Sequence, residues 1–173
     1  MVALASGAHP VRRFDVATGR ELNPPLLTTT ALALRFSENG SVAVLVSPTE
    51  LQVWNPATSN LIARCRVNGG VNDFAWHPNS AMLALGTDRG VFLWKVGEAE
   101  AKQFGGGGNI TRVFFNPDGD LLIAGGWGGY SVLDAESGRI LVGESGPHAI
   151  QLSRDGRKLA LAGGSEEIGR AVV

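Results

Sequence analysis

The stretch TRVFFNPDG, Thr111–Gly119, joins a run of apolar residues to a tight turn. The run TRVFF contains the β-branched and aromatic residues that are typical of a strand. In the turn, Pro117 presets its own backbone angle, and Asp118 and Gly119 accommodate the conformations that follow. The stretch therefore predicts a strand that ends in a reversal of the chain.

The same pattern recurs along the chain with a period of about 40 residues. Its other copies are LALRFSENG (Leu32–Gly40), NDFAWHPNS (Asn72–Ser80) and AIQLSRDG (Ala149–Gly156). The aligned apolar residues, spaced by 40, 39 and 37 positions, are Phe36, Trp76, Phe115 and Leu152. A second series, spaced by 40, 40 and 39 positions, is Phe14, Trp54, Trp94 and Leu133. Two series of apolar residues with the same period indicate internal repeats.

Each repeat contains four short apolar segments that are separated by turns. In LIARCRV, residues 61–67, two faces alternate, and the arginines share one of them, which is the period-2 pattern of a strand. No stretch carries a sustained apolar stripe of helical period, so we expect very little helix. Four antiparallel strands per repeat are typical of a β-propeller blade. The sequence therefore predicts an all-β propeller of four-stranded antiparallel blades, with about four blades present.

Several segments resemble the signatures of WD40 repeats, namely FSENG, FNPDG, VWNPATSNLI and LGTDRGVFLW. The resemblance covers essentially the whole chain, and the last unit is also similar to YVTN-type propeller repeats. The Gly-His dipeptide typical of WD40 repeats is missing before the inner strands. Thr87, Asp88 and Trp94 look like parts of that family's His–Ser/Thr–Asp–Trp hydrogen-bond network. The resemblance implies a rigid propeller that presents a wide face with variable loops.

The repeats predict one propeller domain over residues 1–173. Its segments are a partial blade at 1–26, blades at 31–67, 71–104 and 110–144, and a partial blade at 148–173. Because WD40-like rings usually resemble seven or eight blades, we expect an open arc or part of a larger ring. Three interpretations stay open: a fragment of a longer protein, a chain that pairs with a second chain to close a ring, and a closed small propeller.

Composition and charge narrow the classes of partner. The chain is 44% hydrophobic and 18% charged, with a net charge of −1. This composition favours a folded domain, and without a basic excess we expect no nucleic-acid partner. No apolar run is long enough to span a membrane, so we expect no membrane association, and a cytoplasmic location is the default expectation. The single cysteine, Cys65, cannot form an internal disulfide and is predicted to be a small core residue.

The glycine run Gly105–Gly108 is the feature most similar to a phosphate-binding loop. It lacks the GxGxxG spacing, and no predicted helix follows it to hold a phosphate. The equivalent positions elsewhere hold VNGG and ESGP, so the run is predicted to be a turn between blades. His9, His77 and His148 share no metal-ligand spacing, and no nucleophile stands in a GxSxG elbow. We therefore expect no catalytic residue, no metal and no cofactor.

Trp127, in the segment GGWGGY, is an aromatic residue that the corresponding loops GTDRG and VSPTE lack. Tryptophan is enriched in the energetic centres of protein interfaces. We expect its loop to open on the same propeller face as the turns before the inner strands. The predicted protein-binding face comprises Thr30, Asn72, Asp88, Arg89, Asn109, Trp127 and His148. The alternative is an indole that packs flat on its own or a neighbouring blade.

These features favour a non-catalytic protein–protein interaction scaffold of the WD40-repeat type, which the resemblance implies. One alternative is a small-molecule-binding or enzymatic propeller, similar to YVTN or lactonase-like proteins. For such a site the inner strands offer Arg35, Asp73, Arg112 and Gln151. A further alternative is a self-assembling propeller fragment that associates through exposed blade ends.

Overall fold

The computed structural model describes residues 2–6, 9–105, 107–146 and 149–162. This part of the chain forms seventeen β-strands and no helix. Every strand pairs antiparallel with a neighbour in the sequence, and the strands form five separate sheets that follow one another along the chain. The prediction of an all-β fold with four-stranded antiparallel blades is confirmed by this topology.

The first sheet has three strands: β1 (Val2–Ser6), β2 (His9–Phe14) and β3 (Glu21–Leu27). The second contains β4 (Ala33–Phe36), β5 (Val42–Ser47), β6 (Glu50–Asn55) and β7 (Asn60–Arg66). The third contains β8 (Val71–Trp76), β9 (Met82–Thr87), β10 (Gly90–Lys95) and β11 (Lys102–Gly105). The fourth contains β12 (Ile110–Phe115), β13 (Leu121–Gly126), β14 (Gly129–Asp134) and β15 (Ile140–Glu144). The fifth pairs β16 (Ala149–Leu152) with β17 (Leu159–Ala162).

The sheets follow one another as the blades of an arc. Among the first strands of the three four-stranded sheets, β8 contacts both β4 and β12. Among the described strands, no sheet combines strands from the two ends of the chain. Residues 163–173 of the partial blade predicted at 148–173 lie outside the described residues. Whether further blades or a second chain complete a ring stays a prediction.

The apolar core lies between the sheets. Between the second and third sheets, Leu51, Phe74 and Trp94 are almost completely buried, and Cys65 is buried with them, as predicted. Leu133, which occupies the position of Trp94 one repeat later, is buried between the third and fourth sheets. Two further clusters fill the first and last interfaces between sheets. Apolar packing between successive sheets therefore fixes the positions of the strand ends, and the loops at these ends form the candidate site.

The turns after β8 and β12 have the structure that their sequences predict. In the fourth sheet, the Gly119 N–H donates to the Asn116 carbonyl at 3.0 Å, and Gly119 has a φ of +82°. Ser80 occupies the equivalent position in the third sheet and adopts the same left-handed conformation, with a φ of +59°. Of the glycine run, Gly105 ends β11 and Gly108 lies in the connection to β12 with a φ of +87°. The described glycines of this run therefore belong to a strand end and a turn between sheets.

Candidate protein-binding site

The candidate site lies at one end of the sheets, where each turn between second and third strands meets the connection to the next sheet. The Val67 N–H donates to the Thr49 carbonyl at 2.9 Å, and the Val71 N–H donates to the Pro48 carbonyl at 2.7 Å. We name this end the loop face, and it comprises residues 48–49, 67–70, 88–89, 107–109, 126–129 and 144–146. These backbone bonds hold its loops against one another.

Asp88 and Arg89 are exposed on the loop face, as predicted from the sequence. Asp88 Oδ1 accepts a hydrogen bond from the Gly70 N–H at 2.9 Å. The Arg89 guanidinium donates through Nη1 to Asn68 Oδ1 at 3.1 Å. Both side chains thus bind the turn that leads into β8, and they fill the space beside it.

The residues that resemble the WD40 network make separate contacts with the backbone. Thr87 is fully buried, and its hydroxyl donates to the Gly90 carbonyl at 2.9 Å. The Trp94 indole donates to the Glu98 carbonyl at 2.9 Å. Because Asp88 bonds a different backbone group, these three side chains stabilise three local turns and do not form one continuous chain of hydrogen bonds.

Asn72 connects the third and fourth sheets. Its Nδ2 donates to Asn109 Oδ1 at 2.7 Å and to the Ile110 carbonyl at 3.0 Å. Both asparagines are exposed. The structure therefore brings together two predicted site residues that are 37 positions apart in the sequence.

Trp127 projects from the turn between β13 and β14, and 75% of its surface is exposed. The turn lies against Asn109, because a Cβ added to Gly126 would lie 1.9 Å from the Asn109 carbonyl oxygen. The exposed fraction favours the contact-face interpretation over an indole packed flat on a blade. Thr30 is exposed in the corresponding connection before β4, and His148 lies outside the described residues. That these residues bind a partner stays a prediction.

A groove of about 430 Å³ opens beside the Trp127 turn, and the sequence analysis did not predict it. Its lining is rich in glycine: Gly107, Gly108, Gly126, Gly128, Gly129 and Gly143. Tyr130 and Glu144 also line it. Burial, and secondarily the negative charge of Glu144, raises the pKa of Tyr130. The sequence signal for this groove is that Gly107, Gly126 and Gly128 stand where the preceding repeat carries the side chains of Asn68, Thr87 and Arg89.

The inner strands line a second cavity of about 590 Å³. Its lining includes the four residues that the sequence offered for a ligand site: Arg35, Asp73, Arg112 and Gln151. Arg35 Nη2 and Asp73 Oδ1 form an ion pair at 2.6 Å. The other oxygen of Asp73 accepts the Val113 N–H at 3.0 Å. Because both oxygens are engaged, Asp73 is a structural link between sheets in this arrangement.

Within residues 2–6, 9–105, 107–146 and 149–162, no three His, Cys, Asp or Glu side chains form a group that could hold a metal ion. In the same part of the chain, no helix is long and apolar enough to cross a membrane.

Two segments match a known family of repeats. The family model described as "WD domain, G-beta repeat" matches residues 59–95 and 100–130. Over 59 residues, the chain is 46% identical to Protein Atg16l2 of Mus musculus. The aligned segment covers 31% of this chain and 10% of that protein. The predicted resemblance to WD40 repeats is confirmed by these matches together with the fold.

Two solved structures have a similar fold. The β-propeller domain of Cps50 (Swd1) from Myceliophteria thermophila superposes with a TM-score of 0.76 at 18% identity, over 93% of this chain and 57% of that chain. A chain of the Mitotic Checkpoint Complex superposes with a TM-score of 0.76 at 18% identity, over 94% of this chain and 53% of that chain. The chain thus spans little more than half of these structures and a tenth of the curated relative.

Proposed function

We propose, from the premise that this chain is a β-propeller with WD40 repeats, that it is a non-catalytic scaffold that binds a protein through the loop face. The observation that carries the proposal is the 75% exposure of Trp127 beside the Asn72–Asn109 pair. A large indole on a rigid support offers apolar contact area at a low cost in entropy. The way in which WD40-like propellers present such faces supports the proposal by analogy.

The test compares Trp127→Ala with Val16→Ala, because Val16 is another exposed apolar residue. It is 63% exposed and follows β2, outside the loop face. Each tagged chain is used to capture proteins from an extract of the source organism, with quantification by mass spectrometry. We expect Trp127→Ala to reduce recovery of at least one partner by about tenfold, as for an interface hot spot.

The control variant should retain that partner, and both variants should melt as the unchanged chain does. If Trp127→Ala recovers the same partners as the unchanged chain, binding through the loop face is contradicted. A large fall in melting temperature with Trp127→Ala would instead assign the indole a structural role.

The other expectations belong to the same proposal. We propose a cytoplasmic protein whose partner is another protein, and the net charge of −1 supports a partner other than nucleic acid. Self-association through exposed blade ends stays the alternative role of the chain. Sedimentation velocity distinguishes the two: a mass that rises with concentration supports self-association, and a constant monomer mass contradicts it.

A further inference from the structure

The groove beside Trp127 exists because the fourth sheet lacks side chains that the third sheet carries at the same positions. The two hairpins align by register, since Thr87 pairs with Gly90 in one and Gly126 pairs with Gly129 in the other. The intervening residues are Asp88 and Arg89 in the third sheet, and Trp127 and Gly128 in the fourth.

In the third sheet this space is filled by an arginine. A Cβ at Gly69 would lie 3.4 Å from both Cγ and Cδ of Arg89, so the arginine stem packs along that turn. Its guanidinium reaches Asn68. In the fourth sheet the residues that correspond to Asn68 and Arg89 are Gly107 and Gly128, and both line the groove. The place that holds a guanidinium side chain in one sheet is therefore open in the next.

The open groove also carries a carboxylate, that of Glu144, in its lining. In the third sheet the carboxylate beside the corresponding turn is that of Asp88, which accepts the Gly70 N–H at 2.9 Å. Glu144 pairs with Tyr130 in the register of the fourth sheet, and the equivalent pair in the third sheet is Val91 with Gly105. Glu144 is exposed, and among the described residues it forms no ion pair. Trp127 itself lies between two lining residues, Gly126 and Gly128. A carboxylate and an indole both attract a cation, the indole through its π face.

We propose that this groove takes the side chain of an arginine or lysine from the partner protein, with Glu144 as its counter-ion and with Trp127 in the adjoining turn as a second contact. The proposal rests on the proposed function and names the chemistry of the partner's contact. A volume of about 430 Å³ is within the range of side-chain and small-ligand sites. The inserted side chain occupies the place that Arg89 fills in the third sheet.

The test uses heptapeptides Gly-Ser-Gly-X-Gly-Ser-Gly with blocked ends, in which X is arginine, citrulline or glutamate. They are titrated into the chain, and amide signals are followed by two-dimensional NMR. Citrulline keeps the shape of arginine and removes its charge. We expect the arginine peptide to bind with a dissociation constant on the order of millimolar. It should shift the signals of the groove glycines and of the Trp127 indole.

Three variants locate the contact. Glu144→Gln should weaken binding of the arginine peptide about two- to fivefold, the range for an exposed ion pair. Gly128→Arg should abolish the response, because it supplies from within the chain the side chain that the groove lacks. A Cβ at Gly128 meets no atom within 4 Å, so the backbone has room for the change. Glu136→Gln removes an exposed carboxylate from the turn after β14, outside the loop face, and should change nothing.

Any of three results overturns the inference: equal responses to arginine and citrulline, no response at millimolar peptide, or shifts centred on the inner-strand cavity. Loss of the partner with Trp127→Ala together with no arginine response would refute this inference and leave the proposed function standing. Partner binding that survives Trp127→Ala would count against the proposed function instead.

Discussion

The carboxylate of Asp73 accepts the backbone N–H of Val113 at 3.0 Å, although the two residues belong to neighbouring sheets. Its second oxygen pairs with Arg35 of the preceding sheet at 2.6 Å. One side chain therefore connects three successive sheets along the inner wall. Only 10% of the Asp73 side chain is exposed, whereas half of the Arg35 side chain is. The bond to the Val113 N–H is therefore better shielded from solvent than the ion pair.

Removing this link should destabilise the fold. We expect Asp73→Ala to lower the free energy of unfolding by about 2–3 kcal/mol, because it leaves the Val113 N–H and the Arg35 guanidinium without their shared acceptor. Denaturation with urea measures the change. Asp118→Ala, in the exposed turn after β12, is the matched control, and we expect a change within about 0.5 kcal/mol. Equal effects of the two variants would contradict the role of Asp73.

Two glycines of one turn should respond oppositely to the addition of a methyl group. A Cβ at Gly126 would lie 1.9 Å from the Asn109 carbonyl oxygen, whereas one at Gly128 meets no atom within 4 Å. We expect Gly126→Ala to cost about 1–3 kcal/mol, because the connection to β12 must shift. Gly128→Ala should stay within about 0.5 kcal/mol of the unchanged chain. Thermal unfolding of both variants checks the contact, and a neutral Gly126→Ala would refute it.

The turn after β14 should make stability depend on pH in acid. Asp134 Oδ1 accepts hydrogen bonds from the Ser137 N–H at 2.7 Å and from its hydroxyl at 2.6 Å. These bonds hold the pKa of Asp134 below its ordinary value. A carboxyl group whose pKa is lowered by folding stabilises the fold above its unfolded pKa, near 4. That contribution is lost as the pH falls through the lower folded pKa.

Asp134→Asn should therefore reduce stability at neutral pH and flatten its decline below about pH 4. Asparagine fits this kind of turn, because Asn55 Oδ1 accepts the Ala57 N–H at 2.9 Å in the second sheet. Denaturation curves of both proteins between pH 2 and 7 measure the difference. Two curves that stay parallel through this range would show that the Asp134 carboxylate contributes nothing when ionised.

Cys65 should be protected from thiol reagents in the folded chain. It is 1% exposed, and burial raises the pKa of its thiol, so less of the reactive thiolate is present near neutral pH. We expect slow modification that accelerates strongly in denaturant, measured by mass spectrometry over time. Fast labelling of the native chain would show that the interface between the second and third sheets opens readily.

The strands and sheets could be predicted from the sequence because two series of apolar residues recur with the same period. The turn around Pro117 depends on the residue types within it. The burial of Trp94 and Leu133 follows the repeat period. Both properties can be read from the sequence alone. The contacts between sheets depend on bulges that no period reveals. The register of β8 shifts between Val71 and Asp73, and the Asp73 carboxylate contacts Val113 of the next sheet.

The placement of some candidate site residues was predictable because it follows the repeat. The repeat phase correctly placed Asp88 and Arg89 at exposed turns. The link between Asn72 and Asn109 depends on how neighbouring sheets pack, and the sequence named both residues without joining them. The exposure of Trp127 could not be decided either, because flanking glycines leave the direction of the turn to its surroundings. The groove was not predicted because it arises where glycines leave out the side chains that would fill the space.

The placement of the apolar clusters between sheets has a consequence for how the chain opens. The third sheet contributes Phe74 and Leu85 to the cluster on one side and Ala84 and Val91 to the cluster on the other. Each sheet is therefore stabilised by apolar packing against the sheets directly before and after it in the chain, as in other repeat proteins. Damage at one interface should loosen the two adjoining sheets first and fade with distance. The backbone amides of β9, held from both sides, should exchange with solvent deuterium most slowly.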